Sequence, residues 1–337
     1  MNGGKKLGVI ILNWNGLDLL KKFLPVASSF TRGDEVELVV ADNGSEDGSV
    51  QWIEQQHPEV RIIRMDKNYG FAEGYNRAIE QTKYEYTVLL NSDVEVTPGW
   101  WQPLLEFMES HPEAGAVQPK IKSYHNRNMF EYAGAAGGFL DSLAYPYCRG
   151  RIMDSIEKDE GQYDKGAIEI AWASGACLMV RTADYLAAGG LDPLFFAHME
   201  EIDLCCRLWG LGRRIYCVPY SEIYHVGGAS LNSGNPKKTY LNFRNNLLLI
   251  YKNMPRQIGR KKLFRRRLAD ILPFLMFIAK FDFPNAGAIL KAHKDFKKMK
   301  RSYDSFPDKN ILSSLPGADF SLLKYKLRLS KNNPFQK

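Results

Sequence analysis

Short apolar runs alternate with stretches of helical spacing through the first part of the chain. LGVIIL (7–12), VELVVA (36–41), VRIIRM (60–65) and YTVLL (86–90) read as buried strands. Between them, LDLLKKFLPVASSF (17–30), SVQWIEQQ (49–56) and FAEGYNRAIEQT (71–82) carry the spacing of helices. Strand and helix alternating at this pitch predict an α/β fold, a Rossmann-like, mostly parallel central sheet flanked by helices. In such sheets ligands bind beyond the carboxyl tips of the strands. Residues 13–15, 42–49 and 91–95 all follow such tips.

Further along, PGWWQPLLEFMESHP (98–112) reads as a helix and residues 113–170 as irregular loops and short strands. IEIAWASGACLMV (168–180) is strand-like, and TADYLAAGG (182–190) is a helix closed by glycine. LDPLFFAHMEEIDLCCRLWGLG (191–212) leads into another helix, and RRIYCVPY and SEIYHVGGAS are two strand candidates. No internal repeat is visible.

An apolar content of 45% and an aromatic content of 12% fit a packed globular protein. The five cysteines are odd in number and form no CxxC pair, which points to reduced thiols and a cytoplasmic chain. The apolar run at 7–12 is too short for a signal peptide and ends in NWNG without a cleavage pattern. Charge changes the picture more. Residues 252–337 hold 21 Lys and Arg against 6 Asp and Glu, a charge of +15, which leaves −8 for residues 1–251 out of the total of +7.

The chain therefore divides into a mildly acidic body, 1–250, and a basic amphipathic helical tail, 251–337. The tail contains RKKLFRRRLADILPFLMFIAKFDF (260–283), whose uncharged stretch 271–279 is only nine residues long. A membrane span needs ~20 residues, so this stretch does not cross a bilayer. Apolar bulk between basic clusters suits attachment to an anionic membrane surface on the inner face of the cell membrane; the alternative is packing of the tail on the body. No nucleic-acid-binding module is visible, and nucleic acid is not expected as a partner.

LLNSDVEV (89–96) runs two core leucines straight into polar groups. In an extended chain Asn91, Asp93 and Glu95 would project from one face. The loop after the first strand, NWNG, is neither G-x-G-x-x-G nor a P-loop. A phosphorylated ligand here needs another source of positive charge, and a divalent metal held by a strand-tip carboxylate supplies one.

The ordered set VIILNWNG, VVADNGSEDGS, NYGFAEGYNRAIE, LLNSDVEV, SGACLMVR, FFAHMEEIDLCCRLWGLG and HVGGAS resembles the family 2 glycosyltransferases, in particular their rhamnosyltransferase-like branch, over roughly residues 5–250. Each motif is weak alone; seven in order are specific. The resemblance implies a GT-A fold, with a nucleotide-binding half at about 5–97 and an acceptor and catalytic half at about 98–250. It also implies a nucleotide-sugar donor, a divalent metal (Mn²⁺ or Mg²⁺) and inversion at the anomeric carbon.

Carried over position by position, Asp42 matches the acid that accepts from a pyrimidine N–H, so UDP- and dTDP-sugars both fit. Asn13 and Asn15 match the loop beside base and ribose, and Asn68 and Gly70 a loop near the nucleotide, while Asn76 is a candidate brace. LLNSDVEV matches a D-x-D-type motif with Asn91 in place of its first acid, leaving Asp93 as the metal ligand. His225 matches a histidine that completes the metal or diphosphate site. MEEIDLCCR (199–207) matches the motif of the catalytic base. Glu201 occupies that position, with Glu200 and Asp203 as the other candidates; pairing with Arg207 at i+4 is the structural alternative for Asp203. SGACLMVR and Trp172 match the acceptor side.

The expected activity is transfer of rhamnose or another hexose to a saccharide or lipid-linked saccharide acceptor. Two rival readings are a nucleotidyltransferase, whose activating basic loop is missing after the first strand, and an inactive nucleotide-sugar-binding scaffold.

Overall fold

In the computed structural model, which describes residues 4–227, 234–327 and 334–335, the alternating runs assemble into one nine-stranded sheet. Strands β1 (Leu7–Asn13), β2 (Val36–Asp42), β3 (Arg61–Arg64) and β4 (Tyr86–Leu90) are mutually parallel in the order β4-β1-β2-β3. They are joined by α1 (Leu17–Phe30), α2 (Ser49–Gln56) and α3 (Phe71–Glu80). Side chains alternate across a strand, and here both faces are buried. Ile10, Val39 and Leu89 join Tyr75 and Ala78 of α3 in one core, while Val9, Val40 and Leu90 join Leu20 and Leu24 of α1 in the other.

The second half continues the sheet with mixed polarity. The short β5 (Val94–Val96) precedes α4 (Gln102–Ser110) and β6 (Ala114–Ser123). A separate four-stranded sheet comprises β7 (Gly138–Leu140), β8 (Pro146–Cys148), β9 (Arg151–Ile152) and β10 (Ser155–Ile156). After β11 (Ile168–Glu169), β12 (Cys177–Arg181) inserts antiparallel between β4 and β6. Helices α5 (Thr182–Ala187) and α6 (Glu200–Gly210) lead to β13 (Arg214–His225), which runs parallel to β6 and pairs β5 and β11 along its length.

Four expectations change. The stretch expected to be irregular from 113 opens with β6, a ten-residue strand of the central sheet. Residues 168–180 form two strands, because the segment between them turns onto the small sheet. There the Trp172 indole covers Gly138, where a Cβ would sit 2.2 Å from the ring, and its N–H donates to Phe139 O at 2.9 Å. Trp172 is thus a buried inter-sheet wedge. The two strand candidates after α6 are one strand, kinked by a register shift between Val218 and Glu222. The expected helix at 98–112 starts only at Gln102. The last residues of HVGGAS lie outside the described residues.

Helix α7 (Pro236–Lys252) closes the body, and the basic tail is helical: α8 (Arg256–Ala269), α9 (Ile271–Ala279) and α10 (Phe283–Met299), then the short α11 (Ile311–Ser314) and α12 (Leu322–Lys326). The Asp141 carboxylate in the body accepts from the Leu322 N–H at 3.0 Å, tying the chain's end to the small sheet. Among the described residues no helix is long and apolar enough to cross a membrane. All five cysteines are buried and free.

Candidate active site

The parallel register sets Asn13 and Asp42 side by side at the tips of β1 and β2. The buried Asp42 carboxylate accepts from Asn13 Nδ2 at 3.1 Å and from the Ser45 N–H at 3.0 Å. Asn15, in the left-handed region at φ 48°, accepts from the Glu46 N–H at 2.8 Å, and its own N–H donates to Ser45 Oγ at 2.9 Å. Together these bonds lock the loops after β1 and β2 into one rim. Gly44 makes the rim possible: its φ is 74°, and a Cβ there would lie 2.6 Å from the backbone of Lys67. Across the rim Asn68 Oδ1 accepts from the Gly70 N–H at 2.8 Å and from Asn43 Nδ2 at 3.0 Å. Asn68 and Gly70 are therefore brought to the same rim as Asp42, through Asn43, which sequence reasoning passed over. Asn76 is a brace: it donates to Leu191 O at 2.8 Å and accepts from Tyr185 OH at 2.6 Å.

At the tip of β4 the chain turns instead of staying extended. Asn91 is half-buried, and Ser92 and Asp93 form the turn into β5. The shared face expected for Asn91, Asp93 and Glu95 is consequently split. Asp93 turns inward, with Oδ1 at 3.2 Å from His225 Nε2, while Glu95 pairs outward with Arg127 at 2.6 Å. Antiparallel pairing of β5 with β13 sets His225 opposite Val94 and so delivers the imidazole to Asp93. His225 Nδ1 faces Glu131 Oε1 at 3.5 Å. Burial opposes a charged imidazole, but the Asp93 and Glu131 carboxylates outweigh it and raise His225 to about 10, so the imidazole is a cation here and Nε2 would have to release its proton to ligate a metal.

Asp93 Oδ1 and His225 Nε2 are spaced close to the ~3 Å that separates adjacent ligands of an octahedral ion. Among the described residues no group of three or more His, Cys, Asp and Glu converges as a complete protein-only metal site. Two ligands with the remaining positions open fit a cation that shares its shell with phosphate oxygens and water.

The strand-tip turn approaches α6 across the residues that enter β12. The Asn91 N–H donates to Ala176 O at 3.0 Å, and the neighbouring Gly175 faces Glu201, whose side chain would stand 3.8 Å from a Cβ there. Glu201 and Glu200 open α6, and each keeps a buried Oε2 without a hydrogen-bond partner among the described residues. Burial pushes the Glu201 carboxyl up to about 7 against the opposing backbone N–H groups. Glu200 is raised well above the usual carboxylate range too, by burial and by its neighbours Glu201 and Asp203. Asp203 points elsewhere. It is fully buried, bonded to Arg207 Nε, Lys252 Nζ and Asn253 Nδ2, each at 2.8 Å, and Arg207 and Lys252 hold it below the usual carboxylate range despite burial.

The family model for glycosyl transferase family 2 matches residues 8–185, more than half of the chain. This chain belongs to glycosyl transferase family 2. A relative from Mycobacterium tuberculosis (strain ATCC 25618 / H37Rv), N-acetylglucosaminyl-diphospho-decaprenol L-rhamnosyltransferase, is 28% identical over 233 residues, covering 65% of this chain and 75% of its own. Among solved structures, S. aureus TarS 1-349 in complex with UDP-GlcNAc aligns at a TM-score of 0.57 and 16% identity over 86% of this chain and 80% of that one. The mannosyltransferase PcManGT from Pyrobaculum calidifontis, in complex with GDP-Man and Mn2+, aligns at 0.52 and 14% identity over 98% and 81%. The fold of this family 2 glycosyltransferase is GT-A.

Two parts of the site carry no sequence signal. Glu131, buried against His225, falls in the irregular region before AGAAGG. The second is Asn245 on α7. The loop entering α6 has Phe196, His198 and Met199 at φ 66°, 66° and 75°, a conformation costly for side chains with a Cβ. Asn245 Nδ2 holds it, donating to the carbonyls of Phe195, Ala197 and His198 at 2.9, 2.9 and 2.7 Å, and Arg244 adds a bond to Phe195 O at 2.7 Å. Only a side-chain amide or cation gathers several carbonyls this way. Asn245→Ala is expected to lower the glycosyltransferase's turnover ~10²-fold by letting the loop relax and Glu201 drift. Donor affinity, read by calorimetry, should hold; equal turnover in the two proteins would refute the brace.

Proposed function

We propose that this glycosyltransferase moves rhamnose or another hexose from a UDP- or dTDP-sugar to a saccharide acceptor, with inversion at the anomeric carbon. The observation that carries the reading is the opposition of two differently tuned groups at one end of the sheet. Half-buried Glu201, raised to about 7, faces Gly175, and the adjacent Ala176 is bonded to the strand-tip turn that holds Asp93 against His225.

Each residue then has a role. Asp42, already oriented by Asn13 and the Ser45 N–H, has a carboxylate lone pair to accept the ring N–H of uracil or thymine. Asn15, Asn68 and Gly70 shape the rim around base and ribose, and Asn91 lies beside the diphosphate. Asp93 and His225 would hold Mn²⁺ or Mg²⁺, whose chemistry there is to neutralise charge on a leaving diphosphate. Glu201, ionised above about pH 7, accepts the acceptor's hydroxyl proton as that oxygen attacks the anomeric carbon. The bond to the diphosphate breaks on the opposite face, and the nucleoside diphosphate leaves. Glu200, whose own carboxyl is raised well above the usual range by burial and by Glu201, holds its proton beside the base and adds no second charge there. Asp203 is a positioning residue, locking α6 to Lys252 and Asn253 of the tail.

A lipid-linked saccharide on the inner face of the cell membrane is the acceptor class we favour, with the enzyme cytoplasmic and peripheral. The basic tail and the decaprenol-linked substrate named for the mycobacterial relative support it. The test is a donor screen: the full chain with Mn²⁺ and a panel of nucleotide-sugars, reading the nucleoside diphosphate released. Release from a UDP- or dTDP-sugar is expected. Tight nucleotide binding with no release from any donor would favour the scaffold reading.

A further inference from the structure

The tail is fastened to the body by a buried knot at the junction of α8 and α9. Arg266, 2% exposed, donates to Asp270 Oδ1 at 2.8 Å and to Asn246 of α7, and its guanidinium lies 3.6 Å from the Tyr145 ring centroid. The Tyr145 hydroxyl donates to the same Asp270 oxygen at 2.9 Å, and His293 of α10 meets the other at 3.0 Å. Four elements converge here, so the α8–α9 junction is held rigidly on α7, the helix that also carries Asn245 to the catalytic loop.

Beyond the knot α9 packs one face loosely on its neighbouring helices and leaves the other exposed. None of its nine residues is buried, although its sequence, ILPFLMFIA, is wholly apolar. Asp270 keeps right-handed helical angles, and the bonds from its N–H to Arg266 O and from the Phe274 N–H to Asp270 O carry the helical spacing through the junction. Phe264, Leu268, Ile271, Leu275 and Ile278, all exposed, then fall at intervals of four and three residues, a single stripe along one face. Phe281, 79% exposed, and Phe283 extend the apolar surface past the end of α9. The charged groups along α8 and α9 are basic where exposed, Arg260, Lys261, Arg265, Arg267 and Lys280, and the acids between residues 256 and 283 are the buried Asp270 and the half-buried Asp282, which caps the start of α10. A protein partner of mixed surface has no complement to such a rim. An anionic headgroup layer above an acyl region complements both parts, with the long cationic side chains reaching up to the phosphates.

We propose that this stripe seats α8 and α9 in the interface of an anionic lipid bilayer and, through the Arg266–Asp270 knot, fixes the catalytic loop at a set orientation to the membrane. The inference rests on the peripheral, lipid-linked reading above and assigns the surface that performs it. A helix lying in the interface needs an apolar stripe and a basic flank, not the length of a span, and the described residues offer no spanning helix.

The test is flotation of the full chain with vesicles of phosphatidylcholine alone or with about one third phosphatidylglycerol. The comparison is a chain carrying Ile271→Glu, Leu275→Glu and Ile278→Glu, three exposed positions away from the site. The unaltered chain should float with the anionic vesicles. Flotation should fall about tenfold or more in the triple variant and with neutral vesicles. Circular dichroism and hydrolysis of the nucleotide-sugar in solution should be unchanged by the three substitutions. Equal flotation of the two chains, or none by the unaltered chain, would overturn the docking. So would vesicle-free sedimentation showing a dimer that the substitutions dissolve, which would make the stripe an interface between copies. Donor hydrolysis in the same samples separates the two readings: flotation without hydrolysis of any donor counts against the transferase and leaves the docking standing.

Discussion

Replacing Glu201 with glutamine is expected to lower turnover by ~10²–10⁴-fold while donor affinity stays close to that of the unaltered enzyme. Glutamine keeps the shape that packs against Gly175 and removes only the ability to take a proton. Its amide nitrogen cannot accept, and its neutral oxygen is a far weaker base than a carboxylate raised to about 7. The sign of the pH dependence follows from the same group. Below about pH 7 Glu201 is protonated and idle as a base, so kcat/KM should climb as pH rises through that value. In Glu201→Gln the climb should vanish and the residual rate run flat. A pH–rate profile for each protein reads both effects. Near-normal turnover in Glu201→Gln would reassign the proton to Glu200, which has the same buried, unpartnered Oε2 and stands one residue away.

Asp93→Ala should act on a different step. It removes one of the two ligand atoms proposed above and strips His225 of its nearer carboxylate, leaving Glu131 at 3.5 Å as the remaining acidic partner. Losing even an outer-sphere partner weakens metal sites 10–100-fold, so loss of the carboxylate itself should weaken Mn²⁺-dependent donor binding by at least ~100-fold. Binding of the nucleotide without metal should change little, because Asp42 and the loop rim are untouched. Calorimetric titration of UDP or dTDP with and without Mn²⁺ distinguishes these. Equal metal dependence in the two proteins would place the cation elsewhere. Turnover falls in both variants, but raising the donor should recover part of it only in Asp93→Ala, because in Glu201→Gln the donor already binds normally.

The parallel half of the fold was legible because its signals are local. Alternation within β1, β2 and β4 decides which side chains meet α1 and which meet α3, and strand tips follow from where the apolar runs stop. Asn13 and Asp42 were therefore placed side by side by register alone. Asp93 was legible as a residue but not as a geometry. The turn at Ser92–Asp93 depends on β5 pairing with β13, more than a hundred residues away, and that pairing sends Glu95 outward to Arg127. Residues 168–180 read as one strand because the wedge that divides them is formed by Trp172 against Gly138 in another sheet. Glu131 and Asn245 gave no warning for the same reason. A glutamate in an irregular loop and an asparagine on a mostly polar helix look like solvated residues until His225 and the carbonyls of residues 195–198 are folded against them.

The tail shows the limit from the other side. Its charge and its nine-residue apolar stretch were plain in the sequence, yet packing on the body and contact with a membrane read as alternatives. The structure divides the work between them. Arg266 and Asp270 pack on the body, as does much of α10, while α9 leaves an apolar stripe exposed.

The most direct test is anomalous diffraction from crystals grown with Mn²⁺ and the accepted donor nucleotide-sugar. The manganese peak is expected about 2 Å from both Asp93 Oδ1 and His225 Nε2, with the anomeric carbon between the diphosphate and Glu201. A peak away from Asp93, or a sugar whose anomeric carbon faces away from Glu201, would contradict the account.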